Sequence, residues 1–516
     1  MEELKKIVIA TDKDAQQVAE KALRKEAHLE DWVLFVPSQP KSDAREKEES
    51  ASPLLTLSGE SISFAPDWNP EHPPLQWGYW DAWNEDLFLG WIYFQIGNLS
   101  KGAYFLSRID KALSILEWSE DLKNGGMIGG NNLQQLFEAN GDTYADLHNL
   151  AILLHYGATG HSLQSIEAIY RRAIDAAQSI EQKAYTAYHL SCFLLDTGKP
   201  DQASQEILDF TQQNTLSKEG RSSIQRLWIS GEIKTNRAAN NPVLARKLEE
   251  TLENCKLNLN ENSPIERGFL LLDEAALKVQ TGQYASALSS LREARQLFEK
   301  EGLEELAAQA TFEKAKILYT WGQDNQPHLF REAMKSCQSA LKTFNRENYA
   351  EIFADIHHLL ALIYAEIQDE AKKKHIWAAV SVSSFQEALA HYSKEEYPYQ
   401  YGLICNNQGN AYTKYPISLR TDNYAKALEW YREALSVRDA SAYPAERAVT
   451  LLNFLEAAWR ADSGKDAGQA LFQEMLAAVE EIMNLPVDQE LKKMGQQHKD
   501  QLKEIDTPSG EEVNIH

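Results

Sequence analysis

A chain of 516 residues with 43% apolar and 25% charged content can bury sizeable cores, which argues against wholesale disorder. Its formal net charge of −24 argues against a general phosphate-backbone binder, which needs clustered Lys and Arg, and suits a partner of basic character. Cys192, Cys255, Cys337 and Cys405 stand far apart with no C-x-x-C pair, so neither a disulfide scaffold nor a zinc site is expected. Cys337 and Cys405 fall on apolar helix faces and read as small buried hydrophobes.

Residues 1–70 read as a small α/β module. KKIVIAT (5–11) and DWVLFVP (31–37) are β-rich runs, and DAQQVAEKALRKEA (14–27) between them has helical spacing. LLTL-SGE-SISF (54–64) alternates around a turn as a hairpin does, after a charged stretch, 41–50, that reads as a loop. The opening apolar run is short and meets charges at once, so it is not a signal peptide. Nowhere does a run reach the roughly 18 apolar residues of a membrane span, and a reducing cytoplasm is expected. A strand ending in Asp12-x-Asp14 resembles the metal-binding corner of toprim nucleases. It lacks their following glycine, and Asp14 suits a helix N-cap, so no metal is expected.

Residues 65–95 are rich in Trp and Pro and carry no Lys or Arg. The stretch 71–100 reads as an acidic connector or cap. Two roles are open to Trp77, Trp80 and Trp83: a secondary binding interface, or packing of the module against the first helices. From about residue 80 the pattern is helical with no further strand. NGGMIGGNN (124–132) lacks the Lys-Ser/Thr of a phosphate loop and reads as a connection between helices. His148 with His155, and His357 with His358, show only weak metal-ligand spacing. No nucleophile or metalloprotease motif is present, so no catalytic residue, metal or cofactor is expected.

Self-similarity then dominates. Tyr349, Tyr397 and Tyr443, 48 and 46 residues apart, each open the same apolar pattern. Ala294 to Ala315, Ala340 to Ala361, Ala388 to Gly409 and Ala434 to Leu455 share one spacing of 21 residues. Small residues at fixed spacing mark close approaches between helices. The variable length is expected in the other class of loop, between paired helices, as in TKYPISLRTDN (413–423). QTGQYASALSSLREA (280–294), DNYAKALEWYREAL (422–435), LALIY (360–364) and QGNAY (408–412) resemble bacterial tetratricopeptide-repeat (TPR) proteins, with a period of 46–48 residues in place of the usual 34. TGKPDQASQEIL (197–208) is a weaker copy, and NLAILLHY…SIEAIYRRAI (149–174) a weaker one still. The resemblance implies a mostly α fold, a TPR-like α-solenoid of antiparallel helix hairpins over residues 85–485, with the α/β module before it and a polar tail at 486–516. Leu455 and Ala458, where the pattern asks for Gly and Tyr, suggest a capping repeat.

In this family, polar residues of each first helix line a concave groove. That register points to Asn406, Asn407, Asn410 and Lys414, with Asp355 and His358 from the repeat before and Asn453 from the repeat after. Asn offers both a donor and an acceptor, which suits an extended peptide backbone; the other reading is that these amides bond the adjacent helix. The family's carboxylate clamp also uses the positions of Asn407 and Asn410, but it needs a Lys where this chain has Asn406. The expected function is a non-enzymatic scaffold or adaptor for a protein or peptide, with no nucleic acid and no membrane. The alternative is a regulatory subunit or proteolytic target of a caspase-like peptidase in a bacterial signalling or defence system. Oligomeric state is left open.

Overall fold

The computed structural model describes residues 7–26, 28–38, 53–69, 72–123, 141–157, 162–213, 215–259, 264–324, 326–417, 422–461 and 464–506. The charged stretch 41–50, the glycine-rich stretch 124–132 and the final residues 507–516 lie outside them. The chain forms two compact units, Met1–Asn262 and Ser263–His516.

In the first unit, β1 (Ile7–Thr11) lies between β2 (Val33–Pro37) and β3 (Leu55–Ser58) and pairs parallel with both. Every β1 residue is buried, which is why IVIAT reads as an unbroken apolar run. α1 (Lys13–Leu23) makes the crossover from β1 to β2, and a 3-10 turn at Leu29–Trp32 leads into β2. The expected hairpin forms β3 and β4 (Ser61–Phe64), with Gly59 in the left-handed region at φ +59° where its turn requires it.

Two expectations are corrected here. The N-cap of α1 is Asp12 rather than Asp14: its Oδ1 accepts from the backbone N–H groups of Asp14 at 3.1 Å and Ala15 at 2.9 Å. A strand also returns past residue 64. β5 (Tyr79–Trp80) pairs antiparallel with β4, so the sheet order is β2-β1-β3-β4-β5 and the sheet reaches beyond residue 70.

Helices follow: α2 (Glu85–Gln95), α3 (Leu99–Leu106), α4 (Asp110–Lys123), α5 (Tyr144–Tyr156), α6 (Leu163–Ala176), α7 (Ile180–Asp196), α8 (Pro200–Leu208), α9 (Lys218–Lys234) and α10 (Pro242–Asn258). Asn84, Thr143, Ser162, Ser179 and Ser217 cap α2, α5, α6, α7 and α9 through side-chain oxygens. Sheet and helices share one core. Ile9, Leu55, Ile62 and Phe64 belong to the same buried cluster as Phe88, Trp91, Leu153, Tyr170 and Phe193.

The second unit holds α11 (Pro264–Gln280), α12 (Tyr284–Lys300), α13 (Glu304–Gln323), α14 (Leu329–Ala340), α15 (Ala350–Glu366), α16 (Ala371–Leu389), α17 (Pro398–Tyr412), α18 (Asn423–Leu435), α19 (Pro444–Ala458), α20 (Gly464–Asn484) and α21 (Gln489–Asp506). Consecutive helices pack as antiparallel hairpins, and the first helices of adjacent hairpins also touch. This is a mostly α, TPR-like fold of stacked helix hairpins beside a small N-terminal α/β module. α21 packs on both α19 and α20.

Tyr349, Tyr397 and Tyr443 are the N-cap residues of α15, α17 and α19. Each backbone N–H bonds a carbonyl four residues earlier, on Asn345, Ser393 and Asp439, at 2.9–3.0 Å. The same residues start the turn from their side chains, which accept from Asn348 N, Glu396 N and Ala442 N. One turn therefore recurs at three second-to-first connections, 341–349, 390–397 and 436–443. This corrects the loop assignment. Residues 413–422 do lengthen one hairpin, but only 367–370 separate α15 from α16, so the added length is shared with these connections.

The fixed spacing marks tight packing. Ala294, Ala315, Ala340, Ala361 and Ala388 are fully buried. At Gly409 a Cβ would lie 2.4 Å from Cε1 of Tyr431, so the close neighbour is the ring of its own hairpin partner.

Candidate functional site

α15, α17 and α19 bring the sequence-selected side chains of the second unit together in two linked pairs. Asn407 Nδ2 lies 3.1 Å from His358 Nε2, and Asn453 Nδ2 donates to Asn406 Oδ1 at 3.1 Å. Burial pulls the His358 imidazole down to about 4, so at neutral pH its ring is uncharged and Nε2 can accept. That orients Asn407 with its amide nitrogen on His358 and its carbonyl oxygen unused among the described residues. Asn410 is oriented the opposite way: Tyr431 donates its hydroxyl to Oδ1 at 2.8 Å, leaving Nδ2. Asn407 and Asn410, three apart on one helix, thus present an acceptor and a donor on neighbouring positions.

The other candidates sit at seams. Asp355 is exposed and accepts from the Tyr392 hydroxyl at 2.7 Å. Lys414 pairs with Glu366, joining the ends of α17 and α15. Asn406 is buried, so its amide faces Asn453 rather than a groove. Exposed apolar side chains flank the row: Tyr399 and Leu403 on α17, and Val449 on α19.

A second site, in the first unit, was not singled out from the sequence as one. The segment 65–78 leaves β4 and returns to β5, its neck closed by Phe64 N–H bonding Gly78 O at 3.2 Å. Between those ends it lies on two successive first helices, α5 and α7. Asn149 grips Gln76 on both sides: Oδ1 accepts from its N–H at 2.6 Å and Nδ2 donates to its carbonyl at 2.8 Å. His148 Nε2 lies 2.9 Å from Pro74 O, and Tyr185 donates its hydroxyl to Asp67 O at 2.9 Å. The Trp68 indole donates to Glu181 at 2.7 Å and stands edge-on to Tyr185, centroids 4.8 Å apart. Gly220 of α9 closes this cleft, since a Cβ there would lie 2.8 Å from the Trp68 ring. The signal was present in NLAILLHY as a weak repeat, but the sequence does not say that its Asn meets residue 76.

Trp77 is 6% exposed and packs on Phe94, centroids 5.4 Å apart, so it is core and presents no surface. Trp80 donates to Trp77 O at 3.0 Å, and Trp83 packs on Phe88 at 5.1 Å, both half-buried on the same core. Of the three, Trp77 offers no surface to a partner, while Trp80 and Trp83 keep part of theirs exposed. His148 and His155 likewise diverge, His155 meeting the Tyr170 hydroxyl at 2.9 Å and Asp196 at 3.2 Å. Asp12 Oδ2 accepts from Gly59 N–H at 3.0 Å, so both its oxygens bind backbone. Among the described residues no group of three or more His, Cys, Asp or Glu could hold a metal ion, and no helix is long and apolar enough to cross a membrane. Cys337 and Cys405 are fully buried, and burial pushes each thiol up to about 12.

No family model and no curated protein matches the chain. Among solved structures it is similar to NprR in complex with its cognate peptide NprX, at 14% identity and TM-score 0.36, covering 64% of this chain and 91% of that one. It is similar to the P58(IPK) TPR domain at 13% identity and TM-score 0.21, covering 82% and 98%. For the APC/C hetero-tetramer Cut9-Hcn1 the values are 14% and 0.28, covering 80% and 75%.

Proposed function

We propose that this protein is a non-enzymatic interaction scaffold that holds an extended protein or peptide segment along the first helices of its second unit, at Asn407 and Asn410. The carrying observation is the opposite orientation of those two amides, which leaves one acceptor and one donor side by side. A peptide unit needs that pair, and a helix surface with its own backbone satisfied can offer it only through side chains such as these. Tyr399, Leu403 and Val449 supply apolar contact beside it. The net charge of −24 supports a basic segment and a protein rather than a nucleic acid. A cytoplasmic setting accords with the free cysteines.

The test is selection of peptides from a random library on the full chain, followed by titration against Asn407→Ala/Asn410→Ala. Losing two hydrogen bonds of about 1 kcal/mol each should weaken the selected peptides roughly 10- to 100-fold. Equal affinity for both proteins removes the site from these helices.

A further inference from the structure

We infer that the face formed by α5 and α7 is a peptide-backbone binding site whose resident occupant is this chain's own segment, residues 67–69 and 72–76, and that this segment blocks the face against other extended, Trp- and Pro-bearing chains. The inference does not rest on the proposed site in the second unit. The segment is held as a ligand is held. Asn149, Tyr185 and His148 all address its main chain, at Gln76, Asp67 and Pro74. Asn149 is 3% exposed and takes the N–H and carbonyl of one residue together, the pairing a strand neighbour would make. One side chain supplies specificity: Trp68, in a cleft made by Glu181, Tyr185, Tyr188 and Gly220. Pro73 and Pro74 fix two φ angles, which lowers the entropy lost on seating the segment, and Leu75 N–H closes a tight turn on Pro73 O at 2.8 Å.

The segment leaves the sheet through a closed neck, and within it Leu75 packs into the core that the sheet and helices share. β4 and β5 pair across its neck, and within it His72 Nδ1 lies 2.7 Å from Asp67 Oδ2. The module keeps its grip on α2 without it, through Phe64 on Trp91 at 5.3 Å and Trp77 on Phe94 at 5.4 Å. Lifting the segment off opens Asn149 and His148 to water, and another extended backbone can take over the same hydrogen bonds.

The experiment replaces residues 66–76 by a short Gly-Ser link between β4 and β5 in the full chain and titrates a labelled peptide of residues 65–76. It should bind the loop-replaced protein at least ~10-fold tighter than the intact chain, and Asn149→Ala in the loop-replaced background should remove ~10-fold or more. A loop-replaced protein that melts cooperatively yet binds the peptide no better than the intact chain overturns the proposal. Should that variant fail to fold, hydrogen exchange on full-length Asn149→Ala decides. Exchange at the Gln76 amide rising ~10-fold or more, with Thr56 and Ser63 in the sheet unchanged, supports a seated ligand. A common rise at all three makes the segment ordinary core and overturns the proposal.

Discussion

The two units use the same residue type on the same kind of helix to different ends. In the first, Asn149 spends both halves of its amide on one backbone unit of an extended segment. In the second, Asn407 and Asn410 each spend half on a neighbouring side chain, His358 or Tyr431, and keep the other half. The difference teaches that a first-helix amide is defined by what completes it. Asn149, completed by a segment of the chain, is buried, and Asn407 and Asn410, half completed by neighbouring side chains, stay half-buried.

That contrast can be broken by substitution. Asn149→Leu should be the costliest change. It strands a buried N–H and a buried carbonyl at Gln76, worth about 2–6 kcal/mol if the segment stays seated and less if it lifts off. Denaturant midpoints read with hydrogen exchange in each unit give the cost and show whether it is confined to the first. Asn407→Ala should cost the second unit only about 1 kcal/mol, because one hydrogen bond to a half-buried partner is lost.

Acid should separate the units next. His148 is lowered from 6.5 to about 4 by burial, His189 in the same unit is lowered well below its ordinary value, and in the second unit His358 falls to about 4. His155, His357 and His498 are lowered in the same direction. Folded imidazoles that refuse a proton bind fewer protons than the unfolded chain. Stability is therefore full above about pH 6.5 and is lost as pH falls toward 4, on the order of 3 kcal/mol for a group shifted from 6.5 to about 4. Hydrogen exchange at pH 7 and pH 5 should show the first unit losing more. His148→Gln, uncharged at both pH values, should flatten its dependence, and an unchanged slope removes His148 as the cause.

Smaller effects test the packing of the repeat. Gly409→Ala places a Cβ 2.4 Å from the Tyr431 ring and should destabilise the second unit by about 1–3 kcal/mol, against the gain that Ala brings to an unstrained helix. Lys414→Ala removes a half-exposed ion pair with Glu366 and should lower the stability read from urea unfolding by about 0–1 kcal/mol, the size expected for a surface pair.

Much of the fold was legible because helical repeats are local. Tyr349, Tyr397 and Tyr443 lie where each first helix begins, and the 21-residue spacing falls on fully buried alanines. The turn carried by Asn345, Ser393 and Asp439, four residues before each tyrosine, was missed because small polar residues of different type hide that periodicity. β5 was missed because two residues show no alternation; its pairing with β4 makes it a strand. At the sites, residue type was readable while burial and partners were not. Asn406 and Asn407 are adjacent in sequence, yet one is buried against Asn453 and the other keeps a free carbonyl.

The sequence alone determined the helical hairpins, their period, the α/β start and the acidic balance, because backbone propensity and apolar spacing act within a few turns of chain. Only the tertiary structure decided which amides are spent and on what. Gln76 and Asn149 are separated by 73 residues and meet because a sheet and two helices are packed around one core, a relation no local pattern encodes.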